Sequence, residues 1–261
     1  MKPLQELLTV ALIVKNEATH LAACLDGVKP LNCPILIIDS GSEDETLAIA
    51  EQYGAAIHQF TDWQGFGVQR NRAHPLIQTP WVLWLDADER LPEKAQQHIQ
   101  IALNQTTADG QTAFAINRLP IVYGREIRHC GWYPDKVVRL YPVALMRYSD
   151  DLVHESVIVP KNAQIMVIEG DVLHDTYANL NQHFAKMQAY TLAWAQQKLP
   201  EKPPHLFWAL LRSVWAFLRI YLLKRGFLDG GHGFIIAVMG AIYTWCKYAQ
   251  WWLLYQKKDK A

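Results

Sequence analysis

Trp81-Val82-Leu83-Trp84-Leu85 is an unbroken apolar run that stops abruptly at Asp86-Ala87-Asp88-Glu89. A short apolar run with polar ends reads as a buried strand, and in open α/β sheets ligands bind just beyond the carboxyl ends of such strands. Asp86 and Asp88 are therefore expected at a cleft. Two carboxylates this close repel one another unless a cation neutralises them, and hard oxygen ligands suit Mg2+ or Mn2+. Taken alone, a D-x-D more often opens a solvated turn, here leading into a helix started by Pro92. The meaning of the pair thus depends on the rest of the chain.

The preceding segments alternate between two periodicities. Residues 7–14 are apolar and break into Lys15-Asn16-Glu17-Ala18, after which Leu21, Ala22 and Leu25 recur at helical spacing. Residues 34–38 read as a buried strand, Asp39-Ser40-Gly41-Ser42 as a turn, and residues 43–50 as a helix with acids in its first turn, where they complement the positive helix end. Residues 56–60 form a weaker strand, and a helix starting over 67–73 feeds the strand at Trp81. Such alternation predicts a parallel sheet with right-handed crossovers. Beyond Arg90 the pattern changes to a helix over 92–103, strands over 113–122, 136–141 and 153–159, a helix over 180–199 and a Pro-rich linker at 200–204. The expected fold is α/β, Rossmann-like, with a mostly parallel central sheet flanked by helices and a C-terminal amphipathic helical extension.

A chain of 261 residues suffices for one α/β domain with appended structure. Its 25 basic and 25 acidic residues balance, which argues against a nucleic-acid partner. The balance hides an asymmetry, because residues 206–261 carry eight Lys or Arg against two acids. Cys24, Cys33, Cys130 and Cys246 show no C-x-x-C pairing and read as thiols of a reducing compartment. The apolar stretch at 7–14 is too short for a signal peptide, so a cytoplasmic protein is expected.

Residues 206–223 are apolar apart from Arg212, Ser213 and Arg219, with the arginines seven residues apart on one helical face. An arginine at mid-bilayer costs about 2.5–3.5 kcal/mol, whereas a helix lying in the interface lets both reach headgroups. Residues 234–255 end in Trp245, Trp251, Trp252 and Tyr255, rings that prefer headgroup depth. Residues 227–233 between them read as a flexible turn. The tail is expected to lie on an anionic membrane surface, where each basic residue adds about 1 kcal/mol.

Val14-Lys15-Asn16-Glu17, Ile38-Asp39-Ser40-Gly41-Ser42-Glu43-Asp44-Glu45-Thr46, Gln69-Arg70-Asn71 and Leu85-Asp86-Ala87-Asp88-Glu89 follow one another within the first 90 residues. In kind and order they resemble the donor-site motifs of family 2 glycosyltransferases of the GT-A fold. Gly131-Trp132-Tyr133-Pro134-Asp135, Arg139-Leu140-Tyr141 and Val153-His154-Glu155-Ser156-Val157 are similar to the subgroup that adds a sugar to the lipopolysaccharide inner core, such as the heptose β-glucosyltransferases. This resemblance implies a GT-A catalytic domain over 1–199, with a nucleotide-sugar half at 1–90 and an acceptor half at 91–199, followed by a membrane-associating tail at 200–261.

The same resemblance assigns roles. Val14, Asn16 and Glu17 would border the base, and Asp39 would accept the imide N–H of uracil. Arg70 would grip the pyrophosphate through two N–H groups at once, with a plain salt bridge as its alternative. Arg139 would reach the phosphates, Asp86 would hold the ribose and share the metal region, and Asp88 would ligate Mg2+ or Mn2+. His154 or His174 would complete the metal shell. An acceptor hydroxyl needs a base, for which Glu155 is the choice and Asp151 and Asp135 are reserves. Trp132 could stack on a sugar, although such rings usually fill core. The expected reaction inverts a UDP-sugar, UDP-glucose first, onto a heptose of a lipid-linked oligosaccharide at the inner face of the cytoplasmic membrane. A polyprenyl-phosphate glycosyltransferase and a non-catalytic membrane scaffold are the alternatives.

Overall fold

The computed structural model describes residues 3–149, 155–203 and 205–258. After one helical turn, α1 (Leu4–Leu7), the chain enters β1 (Leu8–Val14), α2 (Leu21–Val28), β2 (Ile35–Asp39) and α3 (Thr46–Gln52). Then come β3 (Ala56–Gln59), α4 (Phe66–Asn71), β4 (Trp81–Asp86), the short β5 (Glu89–Arg90) and α5 (Glu93–Gln105). The next section is all strand: β6 (Thr112–Val122), β7 (Arg125–Glu126), β8 (Asp135–Pro142), β9 (Arg147–Tyr148), β10 (Val157–Ile158) and β11 (Gln164–Tyr177). Three helices follow, α6 (Leu180–Lys198), α7 (Leu206–Leu218) and α8 (Gly230–Lys258).

The main sheet has the order β3-β2-β1-β4-β8-β6-β11-β5, with β7 paired to β6. It is mixed. β3, β2, β1 and β4 are parallel, because each is returned by a helical crossover. β8 pairs antiparallel with β4 and β6, and β11 pairs antiparallel with β5; between β6 and β8 the chain returns without a helix.

β1 is the spine. Its Leu8, Val10, Leu12 and Val14 face a core shared with Leu21 and Leu25 of α2 and Ile99 of α5, while Ala11 faces a second core holding Trp84, Tyr141 and Tyr148. Burying each such side chain contributes about 1.5–3 kcal/mol. The Trp84 indole N–H donates to the Tyr141 hydroxyl at 2.8 Å, so neither polar atom is left unpaired in the second core. The register then fixes the site: Val14 pairs with Asp39, and Ile13 pairs with Asp86. Both acids therefore leave the sheet at the same end.

Several elements differ from the sequence expectation. α3 starts at Thr46, because Asp44 accepts from the Thr46 and Ala18 N–H groups and holds residues 43–45 in a turn. β11, of 14 residues, was hidden by Gly170 and Asp171, which interrupt its apolar pattern, and by the exposure of Ile165, Met166 and Val167. Of residues 153–159 only Val157–Ile158 is strand, and 153 and 154 lie outside the described residues. The turn expected over 227–233 is ordered: Asp229 is buried, accepts from the His129 N–H and ring nitrogen at 2.9 Å each, and α8 already begins at Gly230.

The chain packs as two compact units, Met1–Arg118 with Asp135–His174, and Leu119–Pro134 with Asp175–Ala261. This division differs from a break at residue 200. Trp194 of α6 meets Tyr248 and Trp251 of α8 at ring separations of 5.5 and 5.6 Å, which groups α6 with the tail.

Gly170 tests the packing of β11. Its φ is +96°, and an added Cβ would stand 2.7 Å from the Ala95 backbone nitrogen in α5. Gly170→Ala is expected to destabilise the fold by about 2 kcal/mol or more, measured as a lower urea midpoint at unchanged slope.

Candidate functional site

The loops beyond β1 and β2 are tied to each other. The Asn16 N–H donates to Ser42 Oγ at 3.0 Å, and Asn16 Oδ1 accepts from the Glu43 N–H at 2.8 Å. Asn16 holds a left-handed φ of +56°, which asparagine tolerates better than most residues. The Glu17 N–H donates to Thr46 Oγ1 at 2.8 Å, and the Val14 carbonyl accepts from the Ser40 N–H at 2.9 Å.

Asp39 is fully buried. Its carboxylate accepts from the Gly41 N–H at 3.0 Å, the Ser42 N–H at 3.1 Å, Ser42 Oγ at 2.5 Å and Gln59 Nε2 at 3.1 Å. Its first task here is to build the turn.

Gln69-Arg70-Asn71 in α4 sends three consecutive side chains to three elements. Gln69 Nε2 donates to Ser40 Oγ and to the Phe60 carbonyl, both at 2.9 Å. Asn71 exchanges two hydrogen bonds with the Tyr148 backbone, at 2.9 and 3.0 Å. Arg70 reaches into the site between them. One of its terminal nitrogens donates to Asp86 Oδ1 and the other to Glu155 Oε1, each at 2.8 Å. Its guanidinium lies over the Tyr148 ring at 4.7 Å. Gly67 lets α4 come this close, because a Cβ there would stand 1.9 Å from the Ser149 carbonyl oxygen.

Arg139 of β8 clamps the same carboxylate from the other side. One terminal nitrogen donates to Asp86 Oδ2 and to Glu89 Oε1, both at 2.6 Å, while Glu89 Oε2 accepts the Asp86 N–H at 3.0 Å. Burial by itself would raise the Asp86 carboxyl, but Arg139 and Arg70 together hold it far below the usual carboxylate range. Glu89 is completely buried, and burial pushes its carboxyl up against the pull of Arg139. Burial also raises Glu17, with the Asp88 charge the next cause. Carboxylates outnumber guanidiniums at this mouth, which makes it receptive to a cation.

Asp88 sits 3.3 Å from His174 Nε2. β11 delivers that histidine, since His174 pairs with Glu89 across the β11–β5 ladder. Among the described residues no cluster of three or more His, Cys, Asp or Glu side chains is placed to hold a metal. A hard divalent cation, however, is typically held by one or two carboxylates together with substrate phosphates, and an acid beside a histidine fits that pattern. Arg70 Nε, Arg139 Nε and the Tyr148 hydroxyl are buried without a hydrogen-bond partner among the described residues, so polar capacity remains beside Asp86.

The residues read from the sequence thus divide. Val14, Asn16, Glu17 and Asp39 frame one corner, and Arg70, Asp86, Arg139 and Glu155 form one connected network with Asp88 next in chain. His154 and Asp151 lie outside the described residues. Asp135 is committed to Arg118, at 2.6 and 2.9 Å. Trp132 lies in the second unit against Tyr177, with ring centroids 6.2 Å apart. Sequence reading missed Glu89 and Tyr148. Glu89 could have been found, because an acid one residue past a D-x-D must either face solvent or find a cation.

Removing one member of a buried pair costs about 3–5 kcal/mol, whereas replacing both by apolar groups often costs little. Arg139→Met is therefore expected to destabilise the chain by about 3 kcal/mol, and Arg139→Met with Glu89→Leu by clearly less, in a double-mutant cycle of urea unfolding.

Several known proteins are similar to this chain. The family model for glycosyl transferase family 2 matches residues 9–136. An uncharacterized glycosyltransferase of Rickettsia conorii is 27% identical over 249 residues, covering 92% of this chain and 88% of the relative. The lipopolysaccharide core biosynthesis glycosyltransferase LpsC of Rhizobium meliloti is 28% identical over 261 residues, covering 96% and 92%. Among solved structures, S. aureus TarS 1-349 aligns over 97% of this chain and 91% of its own with a TM-score of 0.46 and 12% identity. With relatives named glycosyltransferases matching it over more than nine-tenths of its length, the chain is a glycosyltransferase, and its residues 9–136 match the model of glycosyl transferase family 2.

Proposed function

We propose that this enzyme is a metal-dependent, inverting hexosyltransferase that moves glucose from UDP-glucose to a heptose of the lipopolysaccharide inner core. The observation that carries the reading is Asp86 held between Arg70 and Arg139, with Asp88 and His174 beside it and Glu155 on the far arm of Arg70. The acceptor class is supported by the name of the Rhizobium meliloti relative, a lipopolysaccharide core biosynthesis glycosyltransferase.

In this reading the loops around Asn16, Glu17 and Asp39 receive the uracil, with Asp39 keeping their turn in shape. Arg70 and Arg139 offer N–H groups to the diphosphate. Asp88 and His174 would hold Mg2+ or Mn2+, which when bound neutralises charge on the departing nucleoside diphosphate. Glu155 takes the acceptor proton, its carboxylate oriented by Arg70 at 2.8 Å. Attack from the face opposite the diphosphate inverts the anomeric carbon.

The tail supports a peripheral site of action on the inner face of the cytoplasmic membrane. Residues 206–223 and 226–257 are long and apolar enough to cross a bilayer. On α7, however, Ala209 and Ser213 pack inward, while Phe207, Leu211, Val214, Trp215 and Leu218 are exposed and Arg212 and Arg219 border that apolar arc. A helix with an apolar arc edged by arginines lies along an interface at lower cost than it spans one.

Glu155→Gln is expected to lower kcat by about 10²–10⁴ with the KM for UDP-glucose little changed, measured with purified core lipid as acceptor. Unchanged turnover would instead indicate an acceptor that needs no base, such as a lipid phosphate. Calorimetry gives a second test: Mn2+ is expected to tighten UDP binding by about tenfold or more, and Asp88→Asn to remove that dependence. Equal affinity with and without Mn2+ would overturn the metal-dependent reading.

A further inference from the structure

In the second unit α7 and α8 lie side by side, joined by a hydrogen bond from Ser213 Oγ to the Ala241 carbonyl at 2.6 Å. Just past α7, Ile220 packs on Gly240 of α8, where an added Cβ would stand 2.4 Å from Ile220 Cδ1. Between them runs an open groove of about 350 Å³, walled by Val214 and Phe217 of α7 and by Val238, Ala241, Ile242 and Trp245 of α8. Of the lining side chains only Ser213 and Trp245 carry a polar atom, and the Ser213 hydroxyl is already spent on Ala241. The groove wall is therefore almost wholly apolar. It selects for hydrocarbon.

The charge around it favours one kind of hydrocarbon. Residues 206–258 carry seven Lys or Arg and a single acid, Asp229, which is buried and paired with His129. Arg212 immediately precedes Ser213, and its guanidinium sits 4.9 Å from the Tyr248 ring centroid, one helical turn along α8 from Trp245. A cation braced on an aromatic ring beside the α7–α8 seam suits a chain with an anionic head.

We propose that the α7/α8 groove seats one acyl chain of an anionic phospholipid, with Arg212 taking the lipid phosphate. The inference rests on the membrane-facing reading above and deepens it. Interfacial docking alone needs only the exposed arc of α7; a seated lipid fixes the rotation of α7 and α8 about their axes relative to the bilayer.

The test uses the full chain with phosphatidylcholine vesicles containing about one-third phosphatidylglycerol, doped with phosphatidylglycerol that carries a diazirine in its acyl chain. After irradiation, adducts are expected to concentrate on Val214, Phe217, Val238 and Ile242. Val214 is half exposed, so Val214→Trp is tolerated by the fold and lays an indole across the groove. It is expected to lower labelling of α8 by about fivefold while co-sedimentation with the vesicles stays within about twofold. Arg212→Gln is expected to lower labelling by the phosphatidylglycerol probe but not by a phosphatidylcholine probe of the same chain length. Adducts spread evenly over Phe207, Trp208, Leu211 and Leu218, with sedimentation intact, would overturn the groove and leave the membrane reading standing. Failure of the wild-type chain to sediment with these vesicles would overturn both.

Discussion

The structure turns on one carboxylate held by two guanidiniums. Asp86 ends β4, Arg70 comes from α4 and Arg139 from β8, so their contact joins the parallel half of the sheet to its antiparallel half. Burying these charges is expensive, and only near-complete pairing offsets the desolvation. That demand explains the surrounding details. Glu89 has no exposed surface and spends one oxygen on Arg139 and the other on the Asp86 N–H, so the strand end is locked as well as neutralised. Gly67 exists because α4 must approach within backbone contact for Arg70 to arrive.

Which parts of this were legible in the sequence follows from range. The strand–turn–helix units of the first 90 residues are local, and Val14, Asp39 and Asp86 were placed correctly at strand ends because each closes an apolar run. What the side chains bind is not local. Arg70 meets Glu155 across 85 residues and Arg139 meets Asp86 across 53, separations at which periodicity carries no information. β11 was unreadable for a different reason. It is a long strand whose only continuous apolar run, 165–168, is cut off by Glu169, Gly170 and Asp171 and is largely exposed, so neither alternation nor one apolar run spans its 14 residues. With β11 hidden, periodicity gave no reason to prefer His174 over His154 as the neighbour of Asp88, and the resemblance left both open.

Asp39 shows how a residue can be singled out correctly and still be more than its motif suggests. Both of its oxygens are engaged by the turn that follows and by Gln59. In a buried site those donors set the shape of the loop that carries Ser42 and, through it, the position of Asn16. A direct contact with a base would have to displace or share one of them. The framework role therefore comes first, and recognition is built on it.

Position 70 has to be arginine for geometric reasons. A lysine ammonium is a point charge that could satisfy one carboxylate well and a second only by rotating away from the first. The guanidinium presents its terminal nitrogens in a rigid plane, and here each takes a different acid, Asp86 on one side and Glu155 on the other, while the Tyr148 ring supports the flat face. The residue that orients the proposed base is thereby the residue that neutralises the proposed donor-binding acid. Any anion that draws Arg70 toward itself must act on Glu155 in the same motion, so donor and acceptor chemistry in this reading share one cation rather than two independent subsites.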